Sequence, residues 1–224
     1  MSEVKMPDAG DNLAGYIDHT LLTAEATPAA IQKLCMEARE AGFKAVCVNG
    51  AHVAAAVRIL EGSSVAVATV VGFPLGASST AAKVCEARAY RDAGAAELDV
   101  VLNIGWLKSG ECDQVSGELQ ALREAAPGTV LKLILETCYL TDTEKESACR
   151  LALAAGWDFV KTSTGFGTAG AALADVRLMK GIAGDAMEVK ASGGIRDRRT
   201  ALAFIAAGAT RIGTSSGLQI LGSR

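Results

Sequence analysis

Two lysines, Lys161 and Lys190, each end a short apolar run and lead directly into a small, glycine-rich turn. The segments are Phe159-Val160-Lys161-Thr162-Ser163-Thr164-Gly165 and Val189-Lys190-Ala191-Ser192-Gly193-Gly194. Placed at the end of a strand, an ammonium faces a cleft. A second ammonium nearby, together with partial desolvation, lowers its pKa from the ordinary value near 10.4 until the free amine can attack a carbonyl. The 29 positions separating the two lysines fit one strand–helix unit. This pattern points to amine chemistry on a carbonyl, with the resulting imine as electron sink. Spacing alone leaves open which lysine is the nucleophile.

The elements that must hold these groups follow from punctuation along the chain. Ala41-Gly42, Ala93-Gly94, Ala155-Gly156 and Ala207-Gly208 each close a helix-like run ahead of an apolar strand, at intervals of 52, 62 and 52 residues. Glycine just past a helix end tolerates the left-handed conformation that stops it. Each interval holds about two strand–helix units, so the chain accommodates eight. Strands are expected at Gly15–His19, Ala45–Asn49, Val65–Val71, Glu97–Asn103, Val130–Thr137, Phe159–Ser163, Met187–Ser192 and Thr210–Thr214. Helical periodicity fills the gaps, as in Thr80–Ala93 and Asp142–Ala155, and Thr27-Pro28 fits an N-cap followed by proline. Eight strands alternating with helices imply an α/β fold, a single (β/α)8 barrel spanning residues 1–224.

Alternation along a strand separates its two faces. Leu98, Val100 and Leu102 suit packing on helices, leaving Asp99, Val101 and Asn103 on the other face. Leu131, Leu133 and Leu135 likewise leave Lys132, Ile134 and Glu136, while Lys161 groups with Ser163, and Lys190 with Glu188 and Ser192. So many polar groups inside a barrel need partners or a wet cavity. A purely structural ion-pair network is the plain alternative, and Lys132 and Glu136 are expected to neutralise each other. Lys132 could instead pair with Asp99 or tune Lys161.

Three glycine-rich turns follow the last three strands: Gly165-Phe166-Gly167, Gly193-Gly194-Ile195-Arg196 and Gly213-Thr214-Ser215-Ser216-Gly217. Backbone N–H groups in such turns close on an anion, a helix N-terminus adds its dipole, and barrels often hold phosphate after strands seven and eight. Hydroxyls of Ser215 and Ser216 would complete the cradle.

Composition narrows the remaining classes. With 22 basic and 25 acidic residues the net charge is -3, which disfavours nucleic acid or an anionic membrane as main partner. The polar segment Met1–Asp11 lacks a signal-peptide core, no apolar run approaches a membrane span, and the six cysteines form no Cys-x-x-Cys pair. A cytoplasmic chain with reduced thiols is expected. His19 and His52 have no metal-ligand spacing, so no metal is expected. Cys47 could face the cavity but also reads as a small buried hydrophobe. Beyond Arg196, the cluster with Arg198 and Arg199 reads as a solvated helix face.

At Tyr16-Ile17-Asp18-His19-Thr20-Leu21-Leu22, Glu97-Leu98-Asp99-Val100-Val101, Val160-Lys161-Thr162-Ser163-Thr164-Gly165 and Lys190-Ala191-Ser192-Gly193-Gly194-Ile195-Arg196, the chain resembles the 2-deoxyribose-5-phosphate aldolase family. The resemblance covers nearly the whole chain in the family's order. It implies a class I aldolase on a barrel fold, with Lys161 forming the Schiff base and Asp99 and Lys190 as proton donor/acceptor pair. It implies substrate contacts from Asp18, Thr20 and Leu22 and phosphate contacts from Gly165, Gly193, Gly194, Ser215 and Ser216; Cys47, Lys132, Thr164 and Arg196 are further candidate substrate contacts. The implied reaction is reversible cleavage of 2-deoxy-D-ribose 5-phosphate to D-glyceraldehyde 3-phosphate and acetaldehyde, in deoxynucleoside catabolism. No cofactor is expected, and a homodimer or tetramer is. The chain departs from some members in two places. Phe166 stands where they carry lysine, and the end Leu221-Gly222-Ser223-Arg224 lacks their terminal tyrosine. Two other readings stay open: another phosphate-gripping barrel enzyme, and a non-catalytic phosphosugar-binding protein.

Overall fold

The computed structural model describes residues 12–222, so the expectations for Met1–Asp11 and for the final Ser223 and Arg224 lie outside the described residues. Eight parallel strands close in sequence order into a barrel. They are β1 Ile17–Leu21, β2 Ala45–Val48, β3 Ala66–Val71, β4 Glu97–Val101, β5 Val130–Ile134, β6 Phe159–Lys161, β7 Glu188–Ser192 and β8 Arg211–Thr214. Around it run α1 Pro28–Ala41, α2 Val53–Ile59, α3 Thr80–Asp92, α4 Ile104–Lys108, α5 Cys112–Ala125, α6 Asp142–Ala154, α7 Leu173–Ala183, α8 Arg198–Ala206 and α9 Gly217–Leu221. Among the described residues, no helix is long and apolar enough to cross a membrane.

Local chemistry accounts for the element ends. Thr27 caps α1 by accepting from the Ala30 N–H at 3.2 Å, with Pro28 at the first helical position. Thr141 and Glu144 form a reciprocal capping box on α6. The Ala-Gly pairs do stop helices: Gly42, Gly94, Gly156 and Gly208 have φ of 67°, 99°, 67° and 110°.

Parity sorts the side chains as expected. Leu98, Val100, Leu102, Leu131, Leu133 and Leu135 join the large apolar core between strands and helices. Inside the barrel, Leu22, Cys47, Ala68 and Val70 form a separate small apolar cluster, with Phe73 against it. The interior also holds the buried charged groups Asp18, Glu97, Asp99, Lys132, Lys161, Lys190 and Arg211.

Several strands have other bounds than the sequence suggests, and those of β4, β5 and β6 end early at the site. β1 starts at Ile17 because Leu13–Tyr16 makes a 3-10 turn first, and it runs on to Leu21. β4 ends at Val101, and Asn103 instead caps α4 by accepting from the Trp106 N–H at 3.3 Å. β5 ends at Ile134, and Glu136 turns left-handed with φ 54°. β6 ends at Lys161, so Ser163 lies in the loop beyond it.

Candidate active site

Strand register brings the four interior basic groups side by side. Asp99 lies opposite Lys132, Ile134 opposite Lys161, Lys161 opposite Lys190 and Lys190 opposite Arg211. Adjacent strands in a parallel sheet lie about 4.8 Å apart, so these side chains meet. Gly213 on β8 makes room, since a Cβ there would come within 3.1 Å of the Lys190 side chain.

The contacts form a closed circuit. Lys190 Nζ donates to Asp99 Oδ2 at 2.8 Å and to Asp18 Oδ2 at 2.5 Å. Asp18 Oδ1 accepts from Arg211, whose other guanidinium nitrogen donates to Glu97 Oε1 at 2.5 Å. Glu97 Oε2 pairs with Lys132 at 2.6 Å, and Lys132 Nζ returns to Asp99 Oδ1 at 2.7 Å. Three carboxylates and three cations therefore alternate in a ring. Lys161 attaches to it from one side, donating to Asp99 Oδ2 at 2.7 Å. The Phe159 ring lies 5.8 Å from the Lys132 ammonium and 5.6 Å from the Arg211 guanidinium, at cation–π distance.

The lysines of this cluster are buried, yet their basicities diverge. Burial pulls Lys161 below the ordinary lysine value, and the Lys190 charge adds to this against Asp99. Burial acts on Lys190 and Lys132 too. For Lys190, Asp18 and Asp99 outweigh it, and for Lys132 Asp99 and Glu97 do, so both rise. Asp18 falls to about 2, because Lys190, Arg211 and Lys132 overcome its burial. Lys132, Lys161 and Lys190 hold Asp99 well below the usual carboxylate range despite burial. Desolvation, rather than the neighbouring cation, is the larger cause at Lys161.

Above the ring lies a cavity of about 400 Å³. Thr20, Leu22, Lys161, Thr164, Gly165, Gly193, Gly194, Arg196 and Ser215 line it, with Phe166, Ser192, Ile195 and Thr214. Of the seven charged groups in the cluster, Lys161 alone reaches this wall. Gly193 is required where it stands: φ is 91°, and a Cβ would meet the Gly170 Cα at 2.9 Å.

The barrel architecture finds its counterpart in known proteins. Residues 13–223 match the DeoC/LacD family aldolase. The chain belongs to this aldolase family. It is 56% identical over 213 residues to a deoxyribose-phosphate aldolase of Carboxydothermus hydrogenoformans, covering 93% of each chain. A deoxyribose-phosphate aldolase of Finegoldia magna is 54% identical, over 92% of this chain and 97% of the relative. Among solved structures, the tetrameric deoxyribose phosphate aldolase of Aeropyrum pernix superposes with a TM-score of 0.88 at 36% identity, covering 94% of this chain and 90% of that one.

In this aldolase-family chain the other expected site residues divide into layers. Asp18, Asp99, Lys132 and Lys190 sit in the ring under the cavity, and Cys47 lies fully buried in the small interior apolar cluster. Burial and the Asp99 charge push the Cys47 thiol up. Ser216 does not line the cavity; its N–H donates to Thr214 Oγ1 at 2.9 Å. The start of α8 is already satisfied, since Asp197 accepts from the Thr200 N–H at 2.9 Å. Phe166 lines the cavity, edge-on to Phe73 at 5.3 Å and 56% exposed.

One expected pairing is corrected. Lys132 and Glu136 do not neutralise each other, because β5 ends before Glu136 and its carboxylate swings to the β6 loop. There it accepts from the Thr164 N–H at 3.2 Å and from the Thr164 hydroxyl. Glu97 and Arg211 belong to the cluster but were not singled out. Their signal was available: each stands two residues before an inward-facing position, Asp99 and Gly213. His19 meets Glu37 at 2.8 Å and tilts against Phe43 at 5.1 Å, away from the cavity.

Proposed function

We infer that the chain is a class I deoxyribose-phosphate aldolase, a lyase that reversibly cleaves 2-deoxy-D-ribose 5-phosphate to D-glyceraldehyde 3-phosphate and acetaldehyde. The observation that carries this is the one amine at the cavity wall, Lys161, whose basicity burial lowers while its neighbours keep their protons. A phosphate binder has no use for such an amine, and a proton-shuttling isomerase needs no nucleophile.

Lys161 attacks the aldehyde carbon C1 of the open-chain sugar. The carbinolamine hydroxyl takes a proton and leaves as water, giving an iminium. A base accepts the C3 hydroxyl proton, the C2–C3 bond breaks, and its electron pair moves onto C2 as the enamine forms. Glyceraldehyde 3-phosphate departs, C2 takes up a proton, and water releases acetaldehyde with Lys161 regenerated. Asp99 Oδ2 touches both amines, so two hydrogen bonds connect Lys161 to the protonated Lys190. Lys190 is the donor in this reading, and Asp99 is the acceptor that orients it.

The Gly165, Gly193–Gly194 and Gly213–Ser215 turns, with Arg196, take the phosphate at the outer end of the cavity, while Thr20 and Leu22 border the sugar. Ser216 acts through the turn rather than by touching phosphate. The enzyme works without an organic cofactor, as one catalytic domain over residues 1–224. A cytoplasmic homo-oligomer is the assembly we propose, in line with the tetrameric Aeropyrum pernix relative.

Trapping with acetaldehyde and cyanoborohydride, followed by peptide mapping, tests the assignment. An added ethyl group on Lys161 is expected. Modification at another lysine reassigns the nucleophile, and no modification of protein active on the phosphosugar removes imine chemistry.

A further inference from the structure

We propose that Glu97 and Arg211, which never reach the cavity, are positioning residues that decide which amine of the barrel goes without a proton. The proposal rests on the aldolase reading, in which Lys161 must be uncharged to attack.

The argument is a charge balance in a closed space. The ring Asp99–Lys190–Asp18–Arg211–Glu97–Lys132 alternates three negative and three positive groups, and each member touches two of opposite sign. It is complete and neutral by itself. Lys161 is the fourth basic group on three carboxylates, and it touches only Asp99, already shared with Lys132 and Lys190. A fourth buried positive charge has no carboxylate left to answer it, so the proton that is cheapest to remove is the one on Lys161. Arg211 sits farthest from Lys161 in contact order and Glu97 one step nearer, level with Asp18, yet both complete the count.

Asp99 on β4, Lys190 on β7 and Cys47 on β2 act on Lys161 directly, and Asp18 on β1, Glu97 on β4, Lys132 on β5 and Arg211 on β8 act through the ring. Glu136, the buried carboxylate just past β5, is turned to the Thr164 N–H and hydroxyl. β3 contributes Ala68 and Val70 to the interior apolar cluster. Cys47 keeps its proton, since burial raises its thiol.

Opposite changes at the two residues therefore have opposite consequences. Arg211→Gln leaves three carboxylates facing Lys132 and Lys190, so Lys161 is drawn to hold its proton. Its pKa rises, and the pH midpoint for attack moves alkaline. Glu97→Gln leaves two carboxylates facing three cations, so Lys161 releases its proton more readily and the midpoint moves acid. The combined Glu97→Gln/Arg211→Gln variant leaves two carboxylates and two ring cations, and returns the midpoint toward the wild type.

The experiment is reductive trapping of acetaldehyde on the full chain over a pH series, with the Lys161 peptide quantified. Opposite shifts on the order of one pH unit are expected for the single variants, with the combined variant between them. A structural role alone would lower the amount trapped without moving the midpoint in opposite senses. Arg211→Lys keeps the charge but loses the forked geometry; it holds the midpoint near the wild type and covers the case in which Arg211→Gln does not fold. Trapping at Lys161 with the same midpoint in Glu97→Gln and the wild type overturns this proposal and leaves the aldolase reading standing. No trapping at Lys161 in wild-type protein overturns the aldolase reading itself.

Discussion

Lys83 and Lys161 are both deeply buried lysines, both lose basicity to burial, and both pair with a carboxylate, yet they occupy different regions and do different work. Lys83 lies on α3 in the helical layer, where its ammonium donates to Glu118 Oε1 at 2.6 Å and to the Val101 carbonyl at 2.8 Å. Burial lowers its pKa against the pull of Glu118, much as it lowers that of Lys161. A perturbed lysine is therefore not by itself a sign of catalysis. Two features separate the pair. Lys83 has Glu118 to itself among the ion pairs of the described residues, while Lys161 shares Asp99 with two other cations. Lys161 opens onto a cavity, and Lys83 does not. Access and competition for a counter-ion distinguish the reactive amine from the structural one.

The contrast breaks most sharply on substitution of the two amines. Lys161→Arg preserves charge and fold but removes a group able to form an imine, so aldol cleavage is expected to vanish in a coupled assay for glyceraldehyde 3-phosphate; retained turnover would move the nucleophile elsewhere. Asp99→Asn comes next. It removes the anion shared by three cations and the acceptor of the proton path, and kcat should fall by about 10²–10⁴-fold, while Lys161, freed of the anion that favours its proton, still traps acetaldehyde with a midpoint moved acid.

How much of this contrast could be read from the chain depends on the residue. Lys161 and Lys190 were conspicuous because each is a charged residue in an apolar run that breaks into glycine. Asp99 and Lys132 followed from alternation, which holds as long as the strand does. Glu136 was misassigned for that same reason: parity extends the face one step past Ile134, but a left-handed backbone at φ 54° redirects the side chain. Glu97 and Arg211 stand out less, because Arg211 meets Glu97 across the barrel and their other partners, Asp18 and Lys132, come from the neighbouring strands β1 and β5. Pairing at that distance in the chain depends on barrel closure and register, and no local pattern carries it. The Lys83–Glu118 pair was equally hidden, since on α3 and α5 both read as ordinary solvated helix charges.

The structural member of the comparison is expected to answer in stability. Lys83→Met strands the Glu118 carboxylate and the Val101 carbonyl in a dry site, and breaking a buried pair in this way costs about 3–5 kcal/mol. Urea unfolding should report that loss, while kcat of the remaining folded protein stays near the wild type. Lys83→Met/Glu118→Leu should recover most of it, because a buried pair replaced by apolar groups of similar volume is often neutral. A large fall in kcat in the double variant would mean that Lys83 does more than hold α3 to α5.

The smallest effect concerns the alkaline pH dependence of stability, and its sign follows from linkage. Lys83 and Lys161 have folded pKa values below 10.5. Each therefore binds its proton less readily in the folded than in the unfolded chain. The penalty is full below the folded value and is relieved as pH climbs to 10.5, so stability rises with pH in that window. Lys132 and Lys190 are raised above 10.5, and their contribution, present below that value, is lost only at higher pH. Urea midpoints measured upward through the alkaline range should first rise and then fall. Lys83→Met and Lys161→Met should each flatten the rising part, and only Lys161→Met should do so while eliminating imine trapping. A rising limb left unchanged by Lys161→Met would show that its amine is as readily protonated in the barrel as in water, and the distinction drawn between the two lysines would then rest on access alone.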